Sequence, residues 1–279
     1  MTNCSKCGAT VSDHEPTCEC GELIGYPNVR KARAPDELEA LNKRVQDAIN
    51  TATSLGSFGP LQQFSDAVDS DSVAVVARDL GTLDALSRSE NSYYISYHRQ
   101  VRSGARTPQE NDWDRVRNQV DEALFANYSD NIIFASLALD DVGDTHYGQI
   151  FVTLKNAMIA ARASVFESNS LEFARSREFR LAATIPPGHR AEWAARNNLA
   201  VAKLHQQITP TTVEAEFPGI LFNTAGAEAD FIEVHVFGRI GLNSISRVTG
   251  VTPMTTEDKA LWNVVKRRLA TRGVTVQER

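Results

Sequence analysis

Apolar positions recur along the chain with two different periods. Leu38, Leu41, Val45 and Ile49 follow helical spacing behind Pro35, Asp36 and Glu37, residues that suit a first helical turn. Gly56, Gly59 and Pro60 close that helix. The block from about 61 to 128 reads as mostly helical. Within it Trp113, Val116, Val120 and Leu124 share one helical face, with Asn111 or Asp112 as cap and Pro108 just upstream. From residue 131 the period changes. Ile132 to Leu139 is a strand-length apolar run, Asp140 to Asp144 a turn, and Tyr147 to Leu154 a second strand, which together predict a hairpin with a longish loop. A helix-leaning stretch follows around Met158 to Ala161. Arg190 to Leu204 reads as helix, Phe217 to Phe222 as a short strand opened by Pro218, and Asp230 to Ile240 as the clearest strand. Leu261, Val264, Val265 and Leu269 form the apolar face of a last helix, with Lys266, Arg267 and Arg268 near its C-terminal end. The predicted fold class is α+β, helices first and a β-rich half after.

The strand Phe231-Ile232-Glu233-Val234-His235-Val236-Phe237 carries candidate chemistry. Side chains alternate across a strand, so Ile232, Val234 and Val236 share an apolar face, and Phe231, Glu233, His235 and Phe237 share the other. A wholly solvated face rarely carries two Phe, so this alternation favours a cleft or an interior over an outer surface.

The four cysteines change the picture at the other end. Cys4, Cys7, Cys18 and Cys20 all fall within the first twenty of 279 residues. Disulfides that staple a secreted fold would be spread along the chain to close long loops. Two knuckles, Cys4-x-x-Cys7-Gly8 and Cys18-x-Cys20-Gly21, predict instead one tetrahedral zinc held by four thiolates, with the glycines at positive φ. His14 is a substitute ligand that a complete four-cysteine set makes unnecessary. The simpler role for such a ribbon is a structural clip or protein-docking knob; Arg30, Lys31 and Arg33 just beyond it admit nucleic-acid contact. With 29 basic and 35 acidic residues the net charge is −6, which argues against binding nucleic acid or membrane through bulk charge. No run approaches the roughly 20 apolar residues of a membrane helix, and the N-terminus has no apolar leader core, so the expectation is a cytoplasmic protein. The expected organisation is a zinc ribbon at 1–27, a linker helix at 28–60 and one further domain at 61–279, the one to which the resemblance described next applies.

Three segments together resemble a family. Tyr147-Gly148-Gln149-Ile150-Phe151-Val152-Thr153-Leu154-Lys155, then Arg162-Ala163-Ser164-Val165-Phe166-Glu167-Ser168-Asn169-Ser170, then the Glu233 strand ending in Gly238 are similar, in order and spacing, to bacterial ADP-ribosyltransferase toxins, including those that target DNA. The resemblance covers about residues 131–250. It implies an ADP-ribosyltransferase-like mixed β core with helices and NAD as co-substrate. It implies Glu233 as the catalytic carboxylate, with His235 aiding acceptor deprotonation or supporting Glu233. It also implies Arg162 on the pyrophosphate, Tyr147, with Gly148 beside it, stacked on a ring of NAD, and Asn169 or Ser170 on a ribose. The chain departs from the family's pattern in three ways. Phe231 stands where a Gln or Glu is frequent, a Ser-Thr-Ser motif is missing, and a first-motif Arg or His is met only by His98 or Arg99.

The function expected from this resemblance is a toxin or phage-defence effector, with a possible antitoxin, modifying nucleic acid (DNA or RNA) or a protein. In the segment before residue 204, His189, Arg190 and Trp193 either contact the acceptor or cap and bury a helix start, the commoner use of such residues. Two other readings are a non-enzymatic zinc-ribbon adaptor for nucleic acid or protein, and a hydrolase pairing Glu233 with a carboxylate such as Glu167.

Overall fold

A computed structural model describes residues 2–104, 112–170, 172–173, 185–225, 229–250 and 255–279. Pro108 and Asn111 lie outside the described residues, as do the side chains of Trp113 and Val116. The fold is mixed α+β, built on one eight-stranded sheet. Its order across the sheet is Thr275–Glu278, Ile245–Gly250, Ile150–Leu154, Val73–Arg78, Ile132–Ala138, Glu233–Phe237, Ala163–Phe166 and Arg190–Glu192. Neighbours are antiparallel except the first pair, which is parallel.

The expected order of helices first and strands later does not hold. Val73–Arg78 comes from the helical half yet sits in the middle of the sheet, pairing Val75 with both Ser136 and Thr153. It therefore separates Ile132–Ala138 from Ile150–Leu154, which are not a hairpin. A short apolar run between helices carries no period of its own that tells strand from helix. Arg190–Glu192 is an edge strand, not the start of a helix; Trp193–Ala195 is a 3-10 turn and the helix runs Arg196–Leu204. Phe217–Leu221 is a short helix with Pro218 in its first turn, where a fixed φ and a missing N–H are harmless. The 230–240 strand divides: Asp230–Phe231 pairs with Phe222–Asn223, while Glu233–Phe237 enters the main sheet. Tyr147 lies in a 3-10 turn ahead of the strand that starts at Ile150.

The two faces of the sheet differ in chemistry. One face presents Ala74, Val76, Ile133, Ala135, Leu137, Val152, Leu154, Val165, Val234, Val236 and Val248, all in the main apolar core. The helices Pro35–Leu55, Phe58–Asp71 and Arg196–Leu204 pack with one another, and Leu80–Ser87 packs with Thr256–Ala270; both groups feed that core. Pro35 and Gly56 do bound a helix: Gly56 caps it at φ +74, its N–H returning to Ala52 and Thr53. Leu41, Ala48 and Ala52 of this helix are core residues, so the 28–60 stretch is not a linker but part of the domain. Among the described residues no helix is long and apolar enough to cross a membrane.

Candidate functional site

The opposite face is apolar only in part. A row of paired residues crosses it: Arg247, Thr153, Val75, Ser136, Glu233, Phe166 and Arg190. One step along, His235 pairs with Phe134 and Ser164. Ser136, Thr153, Ser164, Glu233 and His235 are all buried. Burying a carboxylate is costly unless it is hydrogen-bonded, and Glu233 is. Its Oε2 accepts from the backbone N–H of Ser170 at 3.2 Å and lies 2.9 Å from His235 Nε2. An ionised carboxylate only accepts, so with Glu233 in that state His235 Nε2 is the donor of the pair. The imidazole is enclosed by Phe125, Phe134 and Phe166, with ring centroids 4.7, 5.4 and 5.9 Å away. Glu233 and His235 thus face an interior, and His235 supports the carboxylate.

The 147–148 and 167–170 segments meet beside this pair. Asn169 donates through Nδ2 to the Tyr147 hydroxyl at 3.3 Å, and the next residue, Ser170, gives its amide to Glu233. Tyr147 keeps 38% of its surface exposed, and its ring meets that of His146 edge-on at 5.3 Å. Gly148 has a plain structural cause: at φ +144, a Cβ there would sit 2.1 Å from the carbonyl carbon of Arg78. Its role is close backbone approach.

Arg162 is not brought to this site. It precedes the strand Ala163–Phe166, whose far end carries the Glu233 partner, so it lies roughly 13 Å along the sheet from Glu233. Its Nη1 donates to the carbonyl of Phe237 and its Nε to that of Met158. Burial pulls the guanidinium's pKa down, and the contacts fix a chain crossing. His98 Nε2 lies 2.7 Å from Asp121 Oδ2, and Arg99 donates to Asn131. Phe231 stacks on Phe222, centroids 5.2 Å apart, in its separate hairpin. Trp193 is buried under Arg196, and Arg190 is ion-paired with buried Glu37 at 2.8 Å, so neither presents itself to an acceptor.

Glu167 does not serve as a second acid for Glu233. It accepts from Arg44 Nη1 at 2.6 Å and lies 2.5 Å from His189 Nδ1. Burial works against its charge, but the hydrogen bonds from His189 and Arg44 outweigh it and hold the carboxyl at about 2. Nothing in a helix heptad or a strand alternation marks Arg44 or Ser136 as the polar residue that faces inward.

The four cysteine sulfurs at the N-terminus lie within 4.8 Å of one another, with Cys4–Cys20 at 3.7 Å and Cys7–Cys18 at 3.5 Å. A zinc with bonds of about 2.3 Å places its sulfurs roughly 3.8 Å apart, so the cluster can hold such a metal ion. Each knuckle closes the same way: Gly8 N–H reaches the Cys4 carbonyl at 2.9 Å and Gly21 N–H the Cys18 carbonyl at 2.8 Å, at φ +74 and +86. The backbone bond from Glu22 favours a Cys20 thiolate, but desolvation and the crowded sulfurs prevail and push the thiol up to about 12. A cation is what lets all four ionise together. His14 bonds Ser12 at 2.7 Å and lies outside the cluster. Arg30 donates to the carbonyls of Ser12 and Asp13, and Arg33 to Glu192, so two of the three basic residues after the ribbon have partners within the chain, while the Arg33 side chain stays exposed.

No protein-family model matches this chain, and no curated protein matches it.

Proposed function

We propose that the Glu233–His235 face is a ribosyl-transfer site and that the chain is an NAD-dependent ADP-ribosyltransferase. The observation that carries this reading is the state of Glu233: a buried carboxylate, oriented by an imidazole and a backbone amide, and linked through Ser170 and Asn169 to the part-exposed Tyr147. Cleavage of the bond between nicotinamide and ribose develops positive charge on the ribose. A fixed carboxylate in a dry site stabilises that charge far more than one in water and accepts a hydrogen bond from a ribose hydroxyl. Tyr147 stacks on a ring of the substrate and Asn169 orients it. The cation on the pyrophosphate is not Arg162 in this reading, since its Nε and Nη1 bond the carbonyls of Met158 and Phe237 and its backbone lies four strand residues from the Glu233 partner. The four-cysteine ribbon holds zinc in a structural role. The acceptor is nucleic acid or protein, as for a toxin or phage-defence effector, and an antitoxin is a natural partner.

The test is direct. Purified protein with labelled NAD releases nicotinamide and transfers label to an oligonucleotide or to lysate protein, and Glu233→Gln abolishes both. Absence of both reactions in the wild-type chain overturns the proposal. Expression in a bacterial host is toxic, and Glu233→Ala relieves it; equal toxicity of the two forms counts against catalysis as the cause.

A further inference from the structure

A second carboxylate–imidazole pair lies one strand beyond the first. Glu233, Phe166 and Arg190 are successive partners in one row, so the backbone before Arg190 is about 10 Å from that of Glu233. His189 occupies that position. Its ring packs on Phe173 at 5.3 Å, and Phe173 packs on Phe166 at 4.8 Å, which places the imidazole on the aromatic side that carries Glu233 and His235.

The pair is held rigidly. Gly188 donates its N–H to Glu37 Oε2 at 2.7 Å and its carbonyl accepts from Arg44 at 2.6 Å. A Cβ at Gly188 would stand 2.8 Å from Ala40, so the turn bearing His189 lies flush on the helix Pro35–Leu55. The Glu167 N–H donates to the His189 carbonyl at 3.0 Å. The side chains close the ring: His189 Nδ1 stands 2.5 Å from Glu167 Oε2, a distance that two bare lone pairs cannot keep. Nδ1 therefore bears the proton, and Nε2 is the basic nitrogen. This is the arrangement that orients an imidazole as a general base: a carboxylate fixes the tautomer and steadies the imidazolium that forms. His235 has the opposite arrangement, with Nε2 committed to Glu233 and its ring enclosed by three phenyl groups.

We propose that His189 is the acceptor-side general base of this enzyme, with Glu167 and Arg44 as its positioning residues. The inference rests on the ADP-ribosyl transfer reading above. The acceptor's O–H or N–H gives its proton to His189 Nε2 as its heavy atom bonds to the ribose carbon. The bond from that carbon to nicotinamide breaks, its electron pair leaving with neutral nicotinamide. Glu233 acts on the ribose in both transfer and NAD hydrolysis. His189 acts on the acceptor.

The experiment measures transfer of label from NAD to a mixed-sequence single-stranded DNA oligonucleotide and to lysate protein, alongside NAD hydrolysis, in the full chain. His189→Asn keeps a donor for Glu167 and deletes the base. Transfer falls about 100-fold more than hydrolysis, in line with the usual contribution of a general base. Glu233→Gln removes both reactions together. Glu167→Gln shifts the same ratio in the same direction, and added imidazole restores transfer in His189→Ala. Equal losses of transfer and hydrolysis in a folded His189→Asn, or no loss, overturn the base assignment and leave the function standing. A wild-type chain that hydrolyses NAD but labels neither probe also overturns it. A wild-type chain with neither activity overturns the function and this inference with it. Far-UV circular dichroism and thermal melting establish that each variant is folded.

Discussion

The side-chain amide of Asn28 donates to the main-chain carbonyl of His235 at 3.0 Å, across 207 positions of sequence. The same nitrogen reaches Ser164 Oγ and the carbonyl of Arg162, both at 3.1 Å, and Tyr26 packs its ring on Phe237 at 5.4 Å. Two residues on, Arg30 holds the carbonyls of Ser12 and Asp13 in the cysteine ribbon. The segment leaving the ribbon is thus pinned to the strand that carries Glu233.

Asn28→Ala removes a buried donor from three acceptors at once. Leaving buried polar groups without a partner costs about 1–3 kcal/mol. The expected result is a loss of about 2 kcal/mol in urea unfolding, with the midpoint moving and the slope unchanged. A variant as stable as the parent contradicts the pinning role.

Gly148→Ala places a methyl group on the Arg78 backbone and forces an L side chain to φ +144. Both effects destabilise, and backbone atoms cannot rotate away as a side chain can. A loss of about 3 kcal/mol or more is expected by thermal or urea melting, whether or not NAD is present.

Elemental analysis should return one zinc per chain. A strong chelator, or Cys4→Ser, removes it and unfolds the ribbon, because among the described residues its buried apolar cluster is just Cys4, Val11 and Cys18, with Ile24 packed against them. Backbone hydrogen exchange should rise first in residues 2–24. Protein that is free of metal and still protected there rules out the metal centre.

Glu167 sets an acid limit to stability. Its carboxyl is held at about 2, below the ordinary value, by His189 and Arg44. A depressed folded-state pKa stabilises above the unfolded value of about 4.3 and is lost as pH falls toward the folded one. Urea stability should therefore fall between about pH 5 and pH 2, by on the order of 3 kcal/mol from this group alone. Glu167→Gln should flatten that part of the profile while lowering stability at pH 7. An unchanged acid limb in the variant shows that other carboxylates set it.

Much of the architecture was legible in local sequence, because its causes are local. Pro35 and Gly56 bound a helix through fixed φ and a left-handed cap. The two Cys-Gly knuckles close on themselves within a few residues, so their spacing alone predicts four converging sulfurs. The alternation around Glu233 and His235 says that both share a face, since a pleated strand has period two.

What alternation cannot supply is the identity of the neighbours across the sheet, and these came from tertiary structure alone. Pairing places Val73–Arg78 between two strands that sequence order would join, and sets Glu233 beside Phe166 rather than beside Arg162. Arg162 and Arg190 carry the same charge in sequence, yet one is bonded to backbone carbonyls and the other to Glu37, because burial obliges each to find a partner wherever the fold puts it. The Glu167–His189 pair spans 22 residues and is completed by Arg44, 123 positions before Glu167. No local pattern encodes such a meeting. It is decided when the helix Pro35–Leu55 docks on the sheet edge and brings Arg44 to the Glu167–His189 pair.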